Sequence, residues 1–146
     1  MAEGALRMLL TKAQPTASFE VVSAGTAAAT GFPATLYAIE AAKIWDIDIS
    51  NHLSQPLTPV LIDKADLILT MTSAHHGEVL RISPKGRDKI FLLKNFPSPG
   101  VDGEGVEDPI GQSLEVYNQT FLEIGEYVGK HLPEIVQRIN EKTNAA

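Results

Sequence analysis

The chain has 146 residues with 44% hydrophobic and 21% charged residues, a formal net charge of -6 and no cysteine. These values predict one soluble globular domain over residues 1–146, and they exclude disulfides, a thiolate metal site and a cysteine nucleophile within it. The acidic balance argues against nucleic acid or an anionic membrane surface as partner, and no apolar run is long enough to span a bilayer.

A helix is predicted from the first residues of the chain. Leu6, Leu9 and Leu10 recur at helical spacing, yet no residue that commonly caps a helix precedes them. Nothing here resembles an export signal, so the cytoplasm is the expected compartment. We expect from this uncapped start that a segment upstream is missing.

Strands and helices alternate after this first helix. The β-branched run Phe19 to Ser23 predicts a strand that leads into a loop. Ala34 to Trp45 has the pattern of an amphipathic helix, and Thr58-Pro59 is a suitable N-cap and first residue for a short helix. Ala65 to Met71 is almost continuously apolar, as buried parallel strands are.

The last third of the chain predicts one more strand and a long helix. The strand is Lys89 to Leu93. From Ser113 onward apolar residues step by three or four, and Pro133 is expected to kink or divide that helix. The alternation predicts an α/β fold with a mostly parallel sheet, in which ligands bind beyond the carboxyl ends of the strands.

Five segments resemble, in their order and spacing, the low-molecular-weight protein-tyrosine phosphatases, including their bacterial arginine-phosphatase branch. The resemblance implies a three-layer α/β fold with a small parallel sheet of strand order 2-1-3-4. It also implies a cysteine-dependent phosphatase that acts on a phosphorylated protein or a small phosphomonoester and needs no metal or cofactor. The segments are Met1–Leu6, Val22–Gly25, Ile47–His52, Ala65–Thr72 and Glu107–Gly111.

The defining motif of that family, Cys-x5-Arg-Ser/Thr-Pro, is not in the chain. In the family this motif follows the first strand and directly precedes the helix that begins here at Met1. Its backbone N–H groups form an anion nest at a helix N-terminus, which lowers the pKa of the cysteine, while the arginine holds the phosphoryl oxygens. We therefore expect an N-terminal truncation that removes this loop and the first strand, and no turnover by these 146 residues.

The resemblance implies that Asp108 is the general acid, which protonates the leaving group and then deprotonates the attacking water. Pro109 and Ile110 would shape the mouth of the pocket beside it. From the residues alone, an Asp-Pro pair is more typical of a turn in which the aspartate side chain caps the backbone.

Other positions carry weaker expectations from the same resemblance. Ser23 and His52 match residues that hydrogen-bond to the back of the phosphate loop. Thr72 follows a strand, where it lines the site or caps the next helix. Thr26 and Ala27 begin the loop expected to form the substrate wall.

That loop has only Phe32 as an aromatic residue, so phosphotyrosine and phosphoarginine both remain open as substrates. The adjacent His75 and His76 point to different helix faces, and the acidic run from Asp102 to Asp108 lacks the spacing of a calcium loop, so no metal site is predicted. Two alternative functions stay open: a non-catalytic remnant that binds a partner, and a flavodoxin-like ligand-binding domain.

Overall fold

The computed structural model describes residues 1–145, with side chains through residue 142. Three helices come first, and two short strands alternate with helices after them. They are α1 (Ala2–Ala13), α2 (Leu36–Lys43), α3 (Pro59–Lys64), β1 (Ile68–Thr70), α4 (Ser73–Ile82), a 3₁₀ turn at Pro84–Gly86, β2 (Ile90–Leu92) and α5 (Leu114–Ala145).

The two strands form a small parallel sheet with helices on both faces. Ile68 pairs with Ile90, and both pack against buried residues of α3 and α4. Leu69 pairs with Phe91, and both contact the cluster that Leu10 of α1 and α5 residues build on the other face. Because neighbouring side chains of a strand point to opposite faces, the pairing produces three layers. The predicted three-layer architecture with a small parallel sheet is confirmed.

The largest part of the core joins α1, α2 and α5. Gly4 allows α1 to lie close to the segment after α2, since a Cβ there would stand 3.0 Å from side-chain carbons of both Ile47 and Ile49. Small residues on α2 allow the same close approach to α5. The buried members of this cluster include Ala5, Ala38, Ala41, Ala42, Phe121, Ile124 and Val128.

The predicted strand from Phe19 to Ser23 is wrong, because residues 17–24 form no strand. A strand exists only where its backbone pairs with a neighbour, and none of residues 18–24 makes a hydrogen bond to another backbone group in the described part of the chain. Instead, side chains bind the segment: Arg7 donates to the carbonyl of Val21, and Gln55 Nε2 donates to the carbonyl of Ser23 at 2.9 Å.

Local capping signals are confirmed. Thr58 caps α3, with Pro59 as its first residue, and its side chain accepts a hydrogen bond from the backbone N–H of Leu61 at 3.3 Å. The helix expected at 34–45 is shorter, because Thr35 caps α2 and the chain leaves the helix after Lys43. These signals are reliable because the accepting oxygen of the cap and the donating backbone N–H lie within one turn of each other.

Pro133 does not divide the last helix, as α5 continues through it to Ala145. Proline removes the hydrogen bond to the carbonyl of Gly129, but both residues are exposed, so water can satisfy that carbonyl. Although α5 is long, no helix among residues 1–145 combines the length and the apolar character needed to cross a membrane.

Candidate active site

Glu3, in the first turn of α1, brings together two of the predicted site residues. Ser23 Oγ donates a hydrogen bond to Glu3 Oε1 at 3.1 Å, and His52 Nδ1 lies 3.5 Å from Glu3 Oε2. The carboxylate is well covered, with 16% of the side chain exposed. Sequence reasoning did not single out Glu3; the signal that could have found it is an acidic residue beside a helix N-terminus, where the helix dipole favours negative charge.

Arg7 joins the same cluster one turn further along α1. Its Nη2 lies 3.5 Å from Glu3 Oε2 and also donates to the carbonyl of Val21. Arg7 therefore ties α1 to the extended segment that carries Ser23. Because Arg7 lies within the helix and not in the phosphate loop, its contacts stabilise the fold. It does not take the phosphate-binding role of the family's loop arginine.

Asp108 stands in an exposed loop before α5. Its Oδ1 accepts a hydrogen bond from the backbone N–H of Ile110 at 3.0 Å, so the aspartate caps a turn, as the residues alone suggested. Pro109 is buried, whereas Ile110 is 67% exposed. Such a turn fixes the carboxyl group on the surface while leaving its outer edge open to another molecule.

The loop that carries Asp108, residues 105–113, passes across the carboxyl end of β1; we call it the acid loop, after the role that the resemblance implies for Asp108. The backbone N–H of Val106 donates to the carbonyl of Met71 at 2.9 Å. Gly105 permits this approach, because a Cβ there would lie 2.5 Å from the Met71 carbonyl oxygen and 2.9 Å from Thr72 Cγ2. The acid loop and Thr72 are therefore brought together at the edge where parallel sheets bind ligands.

Thr72 itself caps α4, since its Oγ1 accepts a hydrogen bond from the backbone N–H of His75 at 3.3 Å. The capping alternative for this residue is confirmed. Val106 of the acid loop is buried in the apolar cluster that also contains Tyr117 of α5, whose ring meets that of Tyr37 edge to face, with 5.8 Å between centroids. These contacts give the loop a rigid base although its tip is exposed.

Thr26 and Ala27 are exposed at the start of the loop between Gly25 and Pro33. This loop is attached at both ends to the segment 53–57: Gly25 N–H donates to Gln55 at 3.0 Å, and Pro33 bridges to Leu53. No hydrogen bond joins it to the loop at 105–113 in the part of the chain that the structure describes. Likewise, residues 1–142 contain no group of three or more histidines and carboxylates that could hold a metal ion.

Comparison with known proteins identifies the scaffold. A family model described as low molecular weight phosphotyrosine protein phosphatase matches residues 1–145. The chain belongs to this family. The protein-arginine-phosphatase of Bacillus subtilis is 41% identical over 106 residues, which span 73% of this chain and 69% of that protein.

Solved structures of the family agree with the fold. The crystal structure of a low molecular weight protein tyrosine phosphatase from T. tengcongensis is similar with a TM-score of 0.80 and 37% identity, covering 91% of this chain and 88% of that one. The YwlE arginine phosphatase from Geobacillus stearothermophilus gives a TM-score of 0.75 and 33% identity, covering 99% and 83%. The predicted family resemblance is confirmed.

Family membership makes the chain a phosphatase scaffold, that is, one built for hydrolysis of phosphoric monoesters. The 146 residues nevertheless contain no cysteine, so they do not hold the nucleophile that the family's chemistry uses. What they do hold are the acid loop at the end of β1 and the cluster of side chains around Glu3.

Proposed function

We propose that residues 1–146 form one domain that supplies the acid and the positioning side chains of a cytoplasmic low-molecular-weight protein phosphatase. The substrate would be a phosphorylated protein side chain, phosphotyrosine or phosphoarginine, or a small phosphomonoester. Full activity would also need the family's Cys-x5-Arg loop, which these residues do not contain. By themselves, the 146 residues should not turn over substrate.

In the complete site the thiolate of the loop cysteine would attack phosphorus while the carboxyl group of Asp108 gives its proton to the departing oxygen or nitrogen. A cysteinyl phosphate and the free side chain result. The carboxylate of Asp108 would then take a proton from water, which attacks the cysteinyl phosphate and releases inorganic phosphate and the thiolate. Asp108 ends protonated again, ready for the next cycle.

The other residues take positioning roles in this proposal. Ser23 and His52, together with Glu3, would hold the back of the phosphate loop at the N-terminal end of α1. Thr72 and Pro109 would line the base of the pocket. Exposed residues, Thr26 and Ala27 on one side and Ile110 on the other, would form its substrate walls.

One observation chiefly supports the proposal: the route of the acid loop over the carboxyl end of β1. The hydrogen bond from Val106 to Met71 and the close approach of Gly105 attach this loop to the sheet rather than to solvent. Asp108 lies two residues after Val106, and its carboxylate accepts the hydrogen bond from the backbone N–H of Ile110 that closes a turn. An aspartate that merely ended a surface turn would not need so close a junction with the sheet.

The test compares three proteins: the 146-residue chain, a version extended before Met1 by a family strand and Cys-x5-Arg-Ser-Pro loop, and that version with Asp108→Asn. p-Nitrophenyl phosphate, a phosphotyrosine peptide and a phosphoarginine peptide serve as substrates. We expect no turnover from the first protein and turnover from the second. Loss of the general acid should lower kcat of the third by about 10²–10⁴-fold.

Appreciable hydrolysis by the 146-residue chain that is lost in Asp108→Ala would contradict the proposal. An extended protein that folds and binds vanadate but does not turn over would favour the non-catalytic alternative. The ratio of kcat/KM for the two peptides then decides between phosphotyrosine and phosphoarginine.

A further inference from the structure

The segment between β2 and α5, residues 93–113, forms neither helix nor strand. The acid loop is its second half. Irregular segments of this length in compact domains are commonly either functional or disordered, because few contacts offset the entropy of ordering them. A general acid carried on such a segment keeps a fixed position only if side chains or neighbouring backbone hold the loop.

The segment begins with a turn, residues 93–96, that is fixed to its surroundings. Leu93 and Phe96 are 1% and 2% exposed and belong to two different apolar clusters. The backbone N–H of Leu93 donates to the carbonyl of Thr70 in β1 at 2.9 Å. Lys94 Nζ lies 3.2 Å from a carboxylate oxygen of α5. The turn is therefore a firm base from which a side chain can hold the rest of the segment.

Asn95, the remaining member of this turn, reaches across to the part of the segment that leads to the acid loop. Its backbone N–H donates to the carbonyl of Leu92, the last residue of β2, at 3.1 Å. Its Nδ2 donates to the carbonyl of Gly100 at 2.7 Å and to that of Asp102 at 3.2 Å. Nδ2 carries two hydrogens, so both bonds form at once. One partly buried side chain thus fixes two points of the backbone shortly before Gly105.

The chain turns sharply between this contact and the acid loop. Gly103 and Glu104 alone separate Asp102 from Gly105. Gly103 has a φ of 100°, a conformation that side chains with a Cβ rarely adopt. Little slack therefore remains between the carbonyls that Asn95 holds and the point where the acid loop meets β1.

The segment is attached to the sheet twice before it reaches Asp108. The first attachment is the Asn95 amide, which ties residues 100–102 to the end of β2. The second is the hydrogen bond from Val106 N–H to the carbonyl of Met71 at the end of β1. Because β1 and β2 are paired, both attachments refer the acid loop to one edge of one sheet. Loss of the first would lengthen the free loop that ends at the second and increase its local opening.

We propose that Asn95 is a positioning residue for the general acid: its carboxamide holds the acid loop so that Asp108 reaches the leaving group of the substrate. This inference rests on the proposed function. Asn95 acts through the backbone of residues 100–106 and touches no reacting atom. A displaced general acid slows the reaction only where the leaving group needs a proton, so the choice of leaving group separates an effect on Asp108 from an effect on the whole fold.

Hydrogen exchange in the 146-residue chain tests the attachment without any turnover. Asn95→Ala removes the donor, and Asn95→Asp keeps the shape but turns an oxygen toward two carbonyls. Both should lower the protection of the Val106 N–H about fivefold or more, the effect of losing one neutral hydrogen bond. The Ile68 N–H, bonded across β1 and β2, should keep its protection. Thr58→Ala, which removes the cap hydrogen bond of α3, is the matched control and should leave Val106 unchanged.

Kinetics of the version extended by the family strand and loop then test the effect on the acid. Phenyl phosphate, whose departing phenolate is strongly basic, is compared with 2,4-dinitrophenyl phosphate, whose departing group needs no proton. The measured quantity is kcat/KM, which includes the step in which Asp108 gives its proton. Asn95→Ala should lower kcat/KM about 10–10²-fold for phenyl phosphate and less than about twofold for the dinitrophenyl ester. Thr58→Ala should change neither.

Equal losses with the two esters would show that Asn95 acts on the whole fold and would overturn the proposal. Unchanged protection of Val106, or protection lost equally at Ile68, would do the same. An extended parent without turnover defeats the proposed function, and a positioning role toward Asp108 fails with it. An extended parent that turns over while its Asn95→Ala variant keeps the parent's kcat/KM for phenyl phosphate overturns the role of Asn95 alone.

Discussion

Gly105 is the position where a single added carbon should dislodge the acid loop. In Gly105→Ala the new Cβ would stand 2.5 Å from the carbonyl oxygen of Met71 and 2.9 Å from Thr72 Cγ2. Carbon and carbonyl oxygen normally approach to about 3.3 Å, so the loop must retreat by roughly 0.8 Å. The atom in the way belongs to backbone at the end of a strand, which cannot rotate aside.

The free energy cost has two parts. Overpacking at a fixed site costs about 1–3 kcal/mol, and the hydrogen bond from Val106 to Met71, now 2.9 Å, is stretched at a cost of about 1 kcal/mol. The sum, about 2–4 kcal/mol, should lower Tm by about 4–16 °C in a chain of this size.

Thermal and denaturant unfolding of the 146-residue chain measure the loss of stability, and amide NMR shifts of Met71, Thr72 and Val106 measure the displacement. Gly125→Ala is the control, because a Cβ there has no neighbour within 4 Å. It should stabilise α5 by about 0.5–1 kcal/mol. If Gly105→Ala unfolds at the parent's temperature with unshifted amides, the acid loop is not attached to β1 as described.

Two further predictions concern the charged side chains. The losses of stability caused by Glu3→Gln and Ser23→Ala should not add, because the two side chains hydrogen-bond to each other. A double-mutant cycle of unfolding free energies should give a coupling of about 0.5–1.5 kcal/mol. Additive losses would show that the contact contributes nothing. Hydrogen bonding to Arg81 lowers the pKa of Glu78 below 4.5, so this pair stabilises the fold above that pH and the stabilisation is lost as pH falls through the lowered pKa. Denaturation midpoints of parent and Glu78→Gln should converge in acid, and curves that stay parallel from neutral to acid pH would refute this.

Local signals in the sequence predict the parts of the fold whose partners lie within a turn. Thr58 and Thr72 cap their helices because the accepting oxygen and the donating N–H are three residues apart. The strand predicted at 65–71 contains the observed β1, and the strand predicted at 89–93 contains the observed β2. Their apolar runs reflect burial on both faces, a property of each run alone.

Elements whose existence depends on distant partners escape such reasoning. The run Phe19 to Ser23 has the composition of a strand but no backbone neighbour, and composition carries no information about neighbours. Glu3 becomes the centre of a cluster only because folding brings Ser23 and His52 to it from positions 20 and more residues away. Gly105 likewise reads as one of many loop glycines until Met71 is placed against it.

The proposed site is anchored to the scaffold in two independent places. The acid loop is attached to the carboxyl end of β1 through Met71. The cluster around Glu3 is attached to α1 and holds the segment of Ser23, which has no ladder of its own. A partly buried carboxylate is unfavourable unless it is hydrogen-bonded and charge-compensated, so Glu3 depends on Ser23 and Arg7 as much as they depend on it.

A consequence for catalysis follows from these two anchors. A general acid acts only when it is held at a fixed distance from the nucleophile and the leaving group, and here that distance would be set by the packing of β1 against α1. Leu69 of β1 and Leu10 of α1 meet in one apolar cluster, which makes this packing rigid. The core beneath the sheet thus contributes to the geometry of the proposed site as directly as the polar side chains above it, although none of its residues would touch a substrate.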